Sequence, residues 1–281
     1  MERGEKDLVV VRQQNPDPSL GTLRRHRAPI TSLLERDVKQ PRNELFPSRE
    51  LAIGATLSAV LGVLYDIHGN LPALERVLAE AEQLDIDRWL LGGDYGTPSP
   101  WPDETLARLK ELPEATWIRG NGERWLREPP LDRPEVMASY DIFRGSLAEE
   151  VVEWLYSLPP QAELDGILYV HGSPLSDVDS FPPQPSDDDE RMLAGVSDRT
   201  VVFGHSHQQF RRPGPNGTDL VNPGSAGMPL DGDVRAAWAT WDGDFEFRRT
   251  EYDVARAAAG YRSLAGEFGE FAARRIERGS D

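Results

Sequence analysis

An α/β fold is predicted by three observations. Short apolar runs recur from residue 61 onward, each four or five residues long. Every run passes directly into glycine and polar residues. Segments of helical period separate several of the runs. Runs of this length bounded by glycine read as buried strands, and strands alternating with helices imply a sheet with helical connections. In such sheets ligands sit at the carboxyl ends of the strands.

The elements follow in order. Gly62–Tyr65 runs into Asp66, His68, Gly69 and Asn70. Asn70 is a helix cap with Pro72 in the first turn, and Leu74, Val77, Leu78 and Ala81 keep the spacing i, i+3, i+4, i+7. Arg88–Leu91 runs into Gly92, Gly93 and Asp94. Thr105–Leu112 reads as a helix. Ala115–Ile118 runs into Arg119, Gly120, Asn121, Gly122 and Glu123. Phe143–Leu155 reads as one further helix. Ile167–Val170 runs into His171 and Gly172. Pro182–Pro185 and the acidic run Asp187–Glu190 read as a loop entering a short helix, with Ser186 as cap and the acids solvated. Thr200–Phe203 runs into Gly204, His205, Ser206 and His207. Arg235–Trp241 and Phe245–Arg249 flank Asp242-Gly243, a strong hairpin signal. The tail Asp253–Arg278 reads as helical with glycine interruptions.

Composition excludes several chemistries. The 281 residues contain no cysteine, which rules out disulfides, thiolate zinc sites, iron–sulfur clusters and a cysteine nucleophile. The formal charge of −17 argues against a nucleic-acid binder that relies on a broad basic face. A phosphorylated substrate stays compatible with that charge if metal ions supply the local positive field. Residues 1–59 differ from the rest, with five prolines, no clear periodicity and a slight basic excess. They read as a poorly ordered or non-native extension, with one domain over 60–281. One reading has translation begin near Val60; the rival is a true extension that covers an edge or a partner. The uncharged stretch Leu51–Tyr65 is too short to span a bilayer and contains Gly54, Thr56, Ser58 and Gly62, so no membrane anchor is expected.

Four of the five histidines fall in the clusters that follow strands: His68, His171, His205 and His207. Asp66, Asp94 and Asn121 share those clusters. Imidazole suits transition metals, and carboxylate and amide oxygens suit harder ions. Seven such groups exceed one tetrahedral site and suit two adjacent ions completed by water. Each element alone is a weak signal; their order and strand context make the joint signal strong.

This ordered series closely resembles the calcineurin-like metallophosphoesterase family, in particular its small bacterial and archaeal branch. The segment from Asn222 to Asp233 resembles the same branch. The resemblance covers about residues 60–275. It implies a four-layer α/β/β/α sandwich with a two-metal site at the strand ends. It further implies that Asp66, His68 and His207 bind one ion, that Asn121, His171 and His205 bind the other, and that Asp94 bridges both. A bridging hydroxide would be the nucleophile, with Asp94, Asn121 and His171 at the catalytic core. Mn²⁺ is the expected ion, with Fe, Zn, Ni and Mg as alternatives.

One position departs from the family pattern. Many members carry a His after the Asn of the third motif, taken to assist the leaving group, and this chain has Gly122. General acid catalysis typically contributes about 10²–10⁴-fold. Its loss favours substrates with good leaving groups: aryl phosphodiesters, phosphoanhydrides or cyclic nucleotides. Tyr95 and Glu123 are candidate replacements. Arg119, Arg124 and Arg127 cluster near Asn121, and Arg119 is the candidate contact for a substrate phosphate. Helix-surface pairing is the plainer reading of all three. Trp101, Trp117, Trp125 and Trp238 are read as packing residues rather than base-stacking ones.

The resulting expectation is a cytoplasmic divalent-metal phosphoesterase acting on phosphodiester or phosphoanhydride bonds of a small, nucleotide-like substrate. A phosphoprotein phosphatase is the alternative within the class, and a catalytically weak scaffold of the same fold is the alternative outside it. A nuclease is disfavoured by the acidic domain. Sequence leaves the oligomeric state open.

Overall fold

Strand β1 (Val60–Leu64) sets the plan of the domain. Leu61, Val63 and the following Tyr65 join one buried cluster, while Leu64 joins another on the opposite face. Alternation along a strand with both faces apolar means a sheet covered on both sides. The computed structural model describes residues 60–281 apart from Thr97, Asp132 and Arg133. The expected extension 1–59 lies outside the described residues.

After β1 come α1 (Leu71–Ala81), β2 (Ile86–Leu91), α2 (Pro102–Lys110), β3 (Ala115–Trp117), α3 (Asn121–Trp125), α4 (Pro134–Ser146) and α5 (Glu149–Ser157). Then follow β4 (Gln161–Leu164), β5 (Ile167–Val170), α6 (Asp189–Leu193), β6 (Thr200–Val202), β7 (Gln209–Pro213) and β8 (Asp219–Pro223). The chain closes with β9 (Ala236–Trp241), β10 (Phe245–Thr250), α7 (Val254–Arg262) and α8 (Glu267–Arg278).

Among the described residues there are two five-stranded mixed sheets. The first has the order β10-β9-β1-β2-β3, and the second β4-β5-β6-β8-β7. In each, the strands that carry the polar clusters are parallel neighbours, and antiparallel strands lie outside them. Leu61, Val63, Tyr65 and Leu90 of the first sheet pack with Ile167, Tyr169, Val202 and Val221 of the second. On its other face the first sheet carries α1, α2, α4 and α5 through Leu74, Leu106, Phe143 and Leu155. The second sheet carries α6 through Met192 and Leu193. The result is the expected α/β/β/α layering.

Local chemistry explains most boundaries. The Asn70 side chain accepts from Ala73 N at 3.2 Å, and Leu74, Val77, Leu78 and Ala81 are all buried. Asn70 Nδ2 also donates to Gly227 O at 2.7 Å, so one cap ties the start of α1 to the segment after β8. Pro102 starts α2 earlier than its apolar spacing indicates. The Asp242-Gly243 hairpin joins β9 to β10, with Trp241 opposite Phe245. The tail divides into α7 and α8, which share a cluster with Met228.

Two expectations are corrected. Phe143–Leu155 is not one helix: the backbone is extended at Ala148, and the break buries Leu147 in the core beneath α4 and α5. The acidic run is not uniformly solvated. Asp189 is buried and meets Arg212 of β7 through two bonds, Nη1–Oδ2 at 2.8 Å and Nη2–Oδ1 at 3.0 Å. A buried carboxylate needs such a partner. Among the described residues no helix is long and apolar enough to cross a membrane.

Candidate metal centre

Five of the seven predicted ligands sit on unusual backbone. Asp66, His68, Asp94, His205 and His207 all have positive φ, between 49° and 65°. Non-glycine residues seldom occupy this region, and strain of this kind collects at functional sites. Here it turns the chain sharply at each carboxyl edge and aims successive polar side chains inward. Gly93 (φ +96°) could carry no side chain at all, because a Cβ there would lie 2.6 Å from Gly120 N and 2.7 Å from His171 Nδ1. Two loops from different sheets meet at that point.

The structure brings all seven side chains together. His68 Nε2 and His207 Nε2 lie 3.0 Å apart. Asp66 Oδ1 is 3.4 Å from His207 Nε2, 3.9 Å from His68 Nε2 and 3.8 Å from His171 Nε2. Asn121 Oδ1 is 3.0 Å from His171 Nε2 and 2.8 Å from His205 Nδ1. Asp94 stands between these groups, with Oδ2 3.7 Å from His68 Nε2 and Oδ1 3.6 Å from His171 Nε2. Ligand geometry alone marks Asp66, His68 and His207 as one metal-holding triad and Asp66, Asp94 and His171 as another. Asn121 Oδ1 and His205 Nδ1 adjoin the second triad through His171 and Asn121 respectively.

The donor set fits a cation on three counts. First, Asp66 Oδ1 is buried and has no hydrogen-bond partner, a costly state for a carboxylate oxygen. Second, the imidazole tautomers point lone pairs into the cluster. His171 Nδ1 lies 2.8 Å from Gly92 O and His207 Nδ1 lies 2.7 Å from Met228 O. A carbonyl only accepts, so each Nδ1 carries the hydrogen, and Nε2 is the nitrogen left to present a lone pair to a cation. Third, the Asn121 oxygen faces two imidazole nitrogens. Hydrogen bonding alone would turn this amide over, so that its nitrogen donated to both rings and, at 3.2 Å, to Asp177 O. A cation held by the three groups requires the oxygen to face inward instead.

Electrostatics separate the members. Burial disfavours a charged Asp66, but the surrounding imidazoles of His207, His171 and His68 hold its carboxyl well below the usual range. Burial also opposes charge on His171, yet the Asp94 and Asp66 carboxylates raise its pKa. His205 is pushed down to about 4 by burial and by the neighbouring His171. Glu123 is pushed up to about 7 by burial and by the charge of Asp94. Its carboxylate accepts from the backbone N–H groups of Asp94, Tyr95 and Gly120, each at 2.9 Å, and so locks the second cluster to the third.

The other candidates are placed plainly. Arg119 turns onto α5: its Nη1 donates to Tyr156 O at 2.7 Å and its guanidinium lies over the Tyr156 ring. This corrects its expected place at the site. Arg127 pairs with Glu149 and Glu153. Arg124 is the arginine that borders the cluster, gripping Asp177 through Nε–Oδ2 at 2.6 Å and Nη2–Oδ1 at 2.7 Å. Tyr95 is buried, with its hydroxyl within hydrogen-bond reach of only the Leu91 and Ile118 carbonyls, so neither Tyr95 nor Glu123 is placed to serve as the missing acid. Trp89 stacks on Trp238, and Trp117 packs edge-on against Tyr95 and Trp154. Sequence reasoning missed Asp177, which follows no motif, and the Gly92 and Met228 carbonyls, which have no side-chain signal.

Two facing sheets with buried carboxylates, an amide and imidazoles at their carboxyl ends define a site whose donors suit metal cations. Comparison with known proteins gives the family. The calcineurin-like phosphoesterase superfamily domain matches residues 60–244, and the chain belongs to that superfamily. A metallophosphoesterase from Sphaerobacter thermophilus is 26% identical with a TM-score of 0.66, the match covering 78% of this chain and 99% of that one. A hypothetical protein from Pyrococcus horikoshii OT3 shares the fold at 23% identity and a TM-score of 0.66, over 79% of this chain and 99% of its own. An uncharacterised protein of Methanocaldococcus jannaschii is 26% identical over 226 residues, which is 72% of this chain and 91% of that protein. The superfamily is one of metal-dependent phosphoesterases.

Proposed function

We propose that residues 60–281 form a two-metal hydrolase of phosphodiester or phosphoanhydride bonds in a small, nucleotide-like cytoplasmic substrate, working with Mn²⁺. The observation that carries this reading is the orphaned, buried Asp66 Oδ1 facing three imidazole nitrogens. Asp66, His68 and His207 would hold one ion, Asn121, His171 and His205 the other, and Asp94 would lie between them. Bound there, divalent ions bring water toward ionisation near neutral pH and offset charge on phosphoryl oxygens.

The chain's own residues set the rest. Gly122 N donates to Asp94 Oδ1 at 2.7 Å and fixes that carboxylate. The Gly92 and Met228 carbonyls fix the His171 and His207 rings. Gly122 offers no proton to a departing oxygen, and Tyr95 and Glu123 are committed to backbone groups. The leaving group must therefore be stable as an anion, which favours aryl diesters and phosphoanhydrides over alkyl monoesters.

Full-chain protein loaded with Mn²⁺ should hydrolyse bis(p-nitrophenyl) phosphate, and chelation should stop it. Metal-saturated protein that turns over nothing on a panel of monoesters, diesters, cyclic nucleotides, dinucleoside polyphosphates and phosphopeptides would point to a scaffold instead. Alkyl monoesters cleaved as fast as aryl diesters would refute the leaving-group argument.

A further inference from the structure

A cavity of about 420 Å³ opens beside the metal centre. Its lining comes from Arg124 and Trp125 of α3, the Glu128–Leu131 stretch beyond it, and Val178. Two short links connect it to the centre. Arg124 stands one helical turn after Asn121 on α3, so the two side chains are neighbours on one face. Val178 follows Asp177, whose backbone oxygen lies 3.2 Å from the Asn121 amide. Volumes of a few hundred Å³ suit a ring-sized organic group.

The lining is selective. Trp125, Pro129, Pro130, Leu131 and Val178 offer apolar surface. The polar edge is Arg124 and Glu128. Arg124 is already held by Asp177 and lies 3.7 Å from Glu128 Oε2. Two carboxylates against one guanidinium leave the wall net negative, so a second phosphate is repelled. Glu128, steadied by the Tyr156 hydroxyl, can accept from N–H donors on the edge of a ring. A plain aryl group has no such donor.

Resting on the phosphoesterase reading, we propose that this cavity binds the nucleobase of one ester arm of the substrate. Apolar contact with the prolines, Leu131 and Val178 holds the ring, and Glu128 reads its N–H edge. Arg124, Asp177 and Glu128 are thus specificity determinants that exclude polyphosphate from this side. The substrate class narrows to nucleoside phosphodiesters and cyclic nucleotides.

The test uses full-chain protein stripped of metal, so that it does not depend on turnover. Guanosine and adenosine are titrated by saturation-transfer NMR, with ribose 5-phosphate as the phosphate-bearing control. Both nucleosides should give saturation on their base protons, and the control should give none. Val178→Phe, which fills the cavity, should abolish the signal. Glu128→Gln, close in size, should weaken binding by about tenfold, the typical value of a hydrogen bond to a charged acceptor. Near-UV circular dichroism matching the parent protein shows that each variant is folded. Absence of nucleoside binding, or binding unchanged in Glu128→Gln, overturns the proposal. Mn²⁺-dependent turnover of methyl p-nitrophenyl phosphate is measured separately. Its failure would refute the phosphoesterase reading while the nucleoside titration still judges the cavity.

Discussion

The first sheet contributes Asp66, His68, Asp94 and Asn121 to the cluster, whereas the second contributes His171, His205 and His207. The formal negative charge therefore comes from one sheet and most of the imidazoles from the other. Each half is held in place by its opposite. The His205 N–H of the second sheet donates to Asp66 Oδ2 at 2.9 Å, and the Gly92 carbonyl of the first sheet fixes His171 Nδ1 at 2.8 Å. Neither sheet alone carries a site. The apolar layer between them, with Val63 and Tyr65 on one side and Tyr169 and Val202 on the other, positions the ligands as surely as the loops do.

The two halves should respond differently to damage. Asp94→Ala removes a carboxylate that touches both groups of ligands, and kcat/KM with Mn²⁺ should fall by at least ~10³. His205→Ala removes a single neutral ligand from the second sheet and should cost about 10–100-fold. Metal content measured alongside turnover separates lost binding from lost chemistry. Equal losses would show that the carboxylate side has no special weight.

Stability sharpens the contrast away from the site. On the outer face of the second sheet, Arg212→Met strands the buried Asp189 carboxylate, which should cost about 3–5 kcal/mol in urea unfolding. The double variant Arg212→Met/Asp189→Leu should recover most of that, because a buried pair is easily replaced by apolar packing. The first sheet is vulnerable to volume instead. A Cβ at Gly62 would come within 2.5 Å of the Trp89 ring, so Gly62→Ala should cost about 1–3 kcal/mol.

The smallest effect is expected where the sheets meet far from the chemistry. Arg88 of β2 pairs with Asp165, in the β4–β5 turn, at 2.6 Å, and both side chains are partly exposed. Arg88→Gln should change stability by about 0–1 kcal/mol and leave kcat/KM untouched. A large loss in either measurement would mean that this pair, and not the apolar layer, aligns the two halves.

Legibility followed burial. The strands that end in the clusters were readable because both of their faces are covered, which demands unbroken apolar runs such as Val201–Phe203. The edge strands β4 and β7 were not, because Gln161–Leu164 and Gln209–Pro213 are half exposed and carry polar residues. The break at Ala148 was invisible because the apolar spacing from Phe143 to Leu155 suits a continuous helix; the burial of Leu147 decides it. The wrong arginine was favoured for a similar reason. Arg119, Arg124 and Arg127 are equivalent by proximity in sequence, and only the position of α5 shows which guanidinium has been claimed.

Sequence alone singled out the seven candidate ligands and their order, because strand-end residues of these types recur in one pattern along the chain. It determined the α/β class for the same reason: period and burial are local properties. The tertiary structure decided what is not local. It showed that the clusters of two sheets share one centre, that carbonyls without side-chain signature set the tautomers, and that Asp66 Oδ1 is left without a donor. It also supplied the neighbour that turns Arg124, rather than Arg119, toward the metal centre. Such facts depend on which distant atoms come within about 3 Å, the range of a hydrogen bond, and chain neighbours carry no record of that.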